Sequence, residues 1–254
     1  MEHGGAFTPT VFEKWRRREN LLPGLALAVL AAASWVYTIY QANTMAGMEM
    51  ESAGEFAPFI SGWVAMMVAM MLPATLPLIL LYRTVARGRL GSVRARVGTA
   101  ILLAGYVGVW TVAGLPVYAY DLVAGGMGPG VAVLPGALLI AGGAYQFTGL
   151  KGRCHARCGS PLFFLMQNWR PGMAGALRLG VLHGIDCLGC CLGLMVGLVA
   201  LGMMNLAWML TAALIIFAEK TLPDSHRIAR PLGVLMIAGG VALLFSLLGG
   251  VEAM

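Results

Sequence analysis

One apolar stretch, Leu179–Gly202 (LGVLHGIDCLGCCLGLMVGLVALG), holds His183, Asp186, Cys187, Cys190 and Cys191 within nine positions. His183, Cys187, Cys190 and Cys191 follow i, i+4, i+7, i+8 spacing. At about 100° per residue they occupy an arc of about 100° on one helical face. Asp186 flanks that arc on one edge and Met195, one turn beyond Cys191, on the other. Thiolates with an imidazole are the donors of a soft transition-metal site. One helix rarely closes a shell alone, because successive turns lie about 5.4 Å apart, so a second element must contribute. Asp186 needs a partner as well. An ionised carboxylate deep in a bilayer costs about 2.5–3.5 kcal/mol unless it is paired or protonated, and Arg178, a metal-bound His183 or a cytoplasmic Arg could serve.

Two further groups carry donors. Cys154-His155-Ala156-Arg157-Cys158 places two thiols at C-x3-C spacing with a histidine between them. That is looser than a zinc C-x2-C but compatible with two thiolates on one metal. Trp63 to Pro73 contains Met66 with Met70 and Met67 with Met71, which are i, i+4 pairs on adjacent faces. Thioether and thiolate together favour copper(I) over zinc or magnesium. Met45, Met48 and Met50 lie in a loop, and Met203 and Met204 at a turn. Met is also an ordinary gap-filler in helical bundles, so the clustering carries the copper signal rather than any single residue. Glu219 and Lys220 read as a snorkelling pair. The sequence contains no nucleophile–base–acid triad, phosphate loop or dinucleotide fingerprint.

The elements that position these groups are membrane helices. Hydrophobic residues make up 59% of the 254, charged residues 11%, and the mean hydropathy is +0.81. Apolar runs of about 20 residues recur along the chain, which points to a polytopic all-α bundle. Ten-residue β-barrel alternation is missing. We expect about seven spans, near 22–40, 59–82, 99–120, 131–150, 177–202, 206–217 and 232–251. A polar leader, 1–20, precedes a single transmembrane domain, 21–254. The first run is too long for a signal-peptide h-region. Segment 151–175 reads as a polar connection. With the N-terminus in the cytoplasm and the C-terminus outside, four cytoplasmic segments hold all 17 Lys and Arg residues, as the positive-inside rule requires. The net charge of +6 is then a topology signal toward anionic lipid, and no nucleic-acid partner is implied. All five cysteines fall in the inner half, where thiols stay reduced and a disulfide framework is not expected.

Five pieces stand out together: Trp63-x2-Met66-Met67-x2-Met70-Met71-x-Pro73, Tyr145-Gln146-x-Thr148-x2-Lys151-x2-Cys154-x3-Cys158-x2-Pro161, His183-Gly184-x2-Cys187-x-Gly189-Cys190-Cys191-x3-Met195, Gly202-x-Met204-Asn205-Leu206-x-Trp208-Met209, and Glu219-Lys220. In these pieces the sequence resembles a family of bacterial predicted metal-binding integral membrane proteins that has no assigned function. The pieces cover about 63–220. The resemblance implies metal binding through Cys154, Cys158, His183, Cys187, Cys190 and Cys191. His155 is not part of the pattern, and Leu192 stands where an aromatic residue is expected.

The expected function is transition-metal handling in the bacterial inner membrane, with copper preferred and zinc or iron as alternatives. Transport, handover and metallation of a membrane partner all fit, with a metallochaperone or a larger membrane complex as partner. Two other readings are a membrane thiol oxidoreductase using the cysteine pairs and a non-catalytic assembly subunit. His183, Cys187, Cys190, Cys191, Cys154, Cys158, Asp186, His155, Met66, Met70 and Met195 are the candidate ligands.

Overall fold

The computed structural model describes residues 18–45, 55–126, 133–202, 205–222 and 226–251. The leader to residue 17, Met48, Met50, Met203 and Met204 lie outside them. The described residues form nine helices and no strand: α1 (Arg18–Met45), α2 (Phe56–Leu90), α3 (Ser92–Gly126), α4 (Val133–Tyr145), α5 (Gly149–Cys158), α6 (Pro161–Asn168), α7 (Met173–Leu201), α8 (Leu206–Thr221) and α9 (His226–Val251).

Among the described residues, five stretches are long and apolar enough to cross a membrane: Leu21–Asn43, Phe56–Leu90, Ser92–Val123, Met173–Leu201 and Ile228–Leu247. A sixth arises if α4 and α5, bent by 67°, count as one broken span. Helix α8, with 16 residues, is shorter. Large apolar side chains face outward on α1 and α9, including Leu22, Val29, Val36, Leu235 and Phe245. A water-soluble monomer rarely exposes so much contiguous apolar surface, whereas a lipid-facing surface is made of it.

Helix α7 lies at the centre of the packing, against α3, α4, α5 and α8. Small residues bring its neighbours close, as in membrane bundles generally. A Cβ at Gly180 would collide with the Leu102 carbonyl of α3, and one at Gly193 would lie 2.6 Å from the Gly142 carbonyl of α4. Helices α2 and α3 are joined through Gly91, whose φ of 84° requires glycine and whose N–H caps the Arg87 carbonyl at 3.2 Å. At the far end, Trp63 Nε1 donates to the Trp110 carbonyl at 2.7 Å.

The expected polar connection over 151–175 is instead two short helices. Thr148 caps α5 by accepting from Lys151 N–H at 3.4 Å, and Pro161 after Ser160 starts α6, where a missing N–H costs nothing. Only Lys151 and Cys158 of α5 are buried. An average over the segment therefore hides a one-sided helix.

Candidate metal centre

Helix α7 turns Cys187, Cys190 and Cys191 inward, and α5 brings Cys158 to meet them. The Sγ atoms of Cys158, Cys187 and Cys190 lie within 4.8 Å of one another, and all three residues are under 10% exposed. All five cysteines are free thiols. At a metal–sulfur distance of about 2.3 Å, three sulfurs around one ion stand about 4 Å apart. Small side-chain adjustments therefore suffice to enclose an ion, and the all-sulfur donor set fits a soft cation such as copper(I).

Cys187 is the hub. Lys220 Nζ of α8 donates to its Sγ at 2.9 Å, and the Tyr106 hydroxyl of α3 lies 3.1 Å away. The thiols of Cys190 and Cys191 donate back to the Cys187 carbonyl at 3.1 and 2.6 Å, as short polar side chains do inside apolar helices. Cys191 Sγ lies 3.8 Å from Cys190 Sγ and 4.0 Å from Met71 Sδ. Met66, Met70 and Met195 are buried in the same core, and the α2 thioether at 4.0 Å from a cysteine sulfur is that of Met71.

The other candidates fall outside the three-sulfur cluster. His183, 2% exposed, stacks on Tyr106 at 5.8 Å and meets the edge of Phe164 at 5.2 Å. Among the described residues, neither of its ring nitrogens has a hydrogen-bond partner. Asp186 pairs with the exposed guanidinium of Arg157 at 3.7 Å, a cytoplasmic arginine in the expected topology. Cys154 packs on Gly189, where a Cβ would come within 2.5 Å of its Sγ. His155 lines a separate cavity with Lys151 and Arg230.

Glu219 and Lys220 do not snorkel. Glu219 is 3% exposed and takes Lys151 Nζ on both carboxylate oxygens at 3.0 Å, while Lys151 also donates to Gln146 Oε1. The two adjacent side chains of α8 thus bind two different elements, α5 through Glu219 and α7 through Lys220. Met71 was not among the candidate ligands, Lys220 was expected to snorkel, and Tyr106 was not singled out. The signal available was a lysine and a glutamate ending an apolar helix, each needing an opposite partner.

Removing one member of a buried pair leaves an uncompensated charge and costs about 3–5 kcal/mol. Lys151→Met is therefore expected to lower thermal stability in detergent sharply and to loosen α5. Lys151→Met combined with Glu219→Leu should recover most of the loss, which a double-mutant melting series will read. Equal loss in both would mean the pair is not what holds α5.

A family model, PpoB2, described as a copper chaperone, matches residues 60–243. No curated protein and no solved structure matches the chain.

Proposed function

Because the chain belongs to the PpoB2 copper chaperone family, we propose that it is a multi-pass protein of the bacterial inner membrane that binds copper(I) at Cys158, Cys187 and Cys190 and hands it to a partner. The observation that carries this reading is the convergence of three buried sulfurs from two separate helices. Copper is the cargo. Three thiolates exclude hard cations and hold copper(I) away from water and oxygen. Cys191 and Met71 add soft donors next to Cys190.

Handover by ligand exchange needs one sulfur to let go first. Cys158 suits that part, since it ends the ten-residue helix α5, whereas Cys187 and Cys190 are fixed on the 29-residue helix α7. In the proposed topology of about seven spans, with α8 as a short span, the cluster lies toward the cytoplasmic side. Supporting this, Arg89 of α2 sits over the Trp169 ring at 5.7 Å, so two of the four basic segments meet at one end of the bundle. The partner is a membrane-associated acceptor of copper.

Protein purified without chelators under anaerobic conditions is expected to hold one copper per chain, and added zinc should not displace it. A chain that copurifies with zinc and exchanges no copper would refute the reading.

A further inference from the structure

A cavity of about 320 Å³ opens beside the three sulfurs, walled by Pro73, Ala74 and Pro77 of α2, with Cys158, His183 and Lys220 on its other sides. Taking Cys158, Cys187 and Cys190 as the copper(I) site, we infer that this cavity is the loading port. Copper(I) enters it as a complex with small thiols, and His183 is the first protein ligand it meets.

His183 is the chief observation. A buried imidazole with neither nitrogen hydrogen-bonded calls for an explanation, because buried polar groups are almost always satisfied. Its ring stacks on Tyr106 and meets the edge of Phe164. A resident metal-binding histidine almost always donates its other N–H to an acceptor that fixes the tautomer. His183 has no such acceptor among the described residues, which suits a ligand that binds in passing. Cys158 belongs both to the cavity wall and to the three-sulfur cluster, so the ion can move from His183 to the cluster without leaving protein ligands.

Lys220 selects the form of the cargo. Its ammonium lines the cavity and contacts Cys187, so it repels a bare cation. Copper(I) with two thiolates carries a net charge of −1 and is attracted. The exchange balances without redox chemistry. A nitrogen lone pair of His183 forms a Cu–N bond as one Cu–S bond to the carrier breaks, and that first thiolate leaves as the anion with the bond's electron pair. The Cys158 sulfur then displaces the second carrier thiolate, which leaves with the cysteine proton, and copper stays in the +1 state.

The test is rapid mixing of the full-length protein, in detergent and without oxygen, with copper(I) carried by two equivalents of reduced glutathione. Copper–thiolate absorption reports loading. His183→Phe keeps an aromatic ring between Tyr106 and Phe164, and is expected to load at least ~10-fold more slowly while reaching the same copper content. Ala74→Phe fills the cavity without replacing any ligand and should slow loading in the same way, whether or not His183→Phe folds. Wild-type rates in both variants would overturn the port. A lower final copper content in His183→Phe would make His183 a resident ligand and overturn its entry role. A wild-type chain that takes up no copper would overturn the three-cysteine reading itself, and the port with it.

Discussion

Cys187→Ala is expected to weaken copper(I) binding by at least ~1,000-fold, about 4 kcal/mol. Cys187 is wholly buried, supplies one of three sulfurs, accepts from the Lys220 ammonium and lies against the Tyr106 hydroxyl. Its loss leaves two sulfurs on different helices and an ammonium with no sulfur to face. Cys154→Ala is the informative control. Cys154 belongs to the same C-x3-C sequence, yet it packs on Gly189 and lies outside the cluster. Its loss should change affinity by no more than ~3-fold, well under 1 kcal/mol. Competition with a copper(I) chelator, run beside a melting curve to separate binding from unfolding, measures both. Equal losses in the two variants would mean that the three-sulfur geometry does not decide binding.

Lys220→Met is expected to weaken copper(I) binding by ~10–100-fold, the range usual for groups that orient or balance metal ligands. Three thiolates on copper(I) leave a net charge of −2 in a water-poor interior. A unit charge pair at about 4 Å is worth about 4 kcal/mol at an effective dielectric of about 20, offset in part by desolvating the ammonium. The Lys220 ammonium at 2.9 Å from Cys187 is placed to supply that balance. Lys220→Arg keeps the charge on a broader head and should restore part of the affinity. Tighter binding in Lys220→Met would show that the lysine competes with the ion for Cys187.

Much of this arrangement of side chains was legible in the sequence. The i, i+4, i+7, i+8 spacing put Cys187, Cys190 and Cys191 on the inward face of α7, and Gly189, Gly193 and Gly197 mark where other elements approach that helix. Composition likewise pointed to an all-helical chain with several membrane-length helices. Periodicity, however, describes one helix and is silent on its neighbours. Cys154 and Cys158 are equivalent by spacing, about 40° apart around α5, and only the packing of α5 on α7 separates a sulfur facing Gly189 from one in the cluster. The adjacent pairs Met66–Met67 and Met70–Met71 are ambiguous for the same reason, and the contact with Cys191 comes from Met71. Segment 151–175 was missed as structure because its charges mask two helices with narrow buried faces. Glu219 and Lys220 were read as interfacial because a charge at a helix end usually reaches water. Here Glu219 finds Lys151 and Lys220 finds Cys187 inside the bundle, which no property of their own helix reveals.

The central claim is tested most directly by X-ray absorption spectroscopy at the copper edge, on protein loaded with one equivalent of copper(I) under anaerobic conditions. The account predicts a copper(I) edge and a first shell of three sulfurs, which falls to fewer sulfurs when Cys158 is replaced by alanine. A shell dominated by nitrogen or oxygen, or one unaltered by Cys158→Ala, would contradict it.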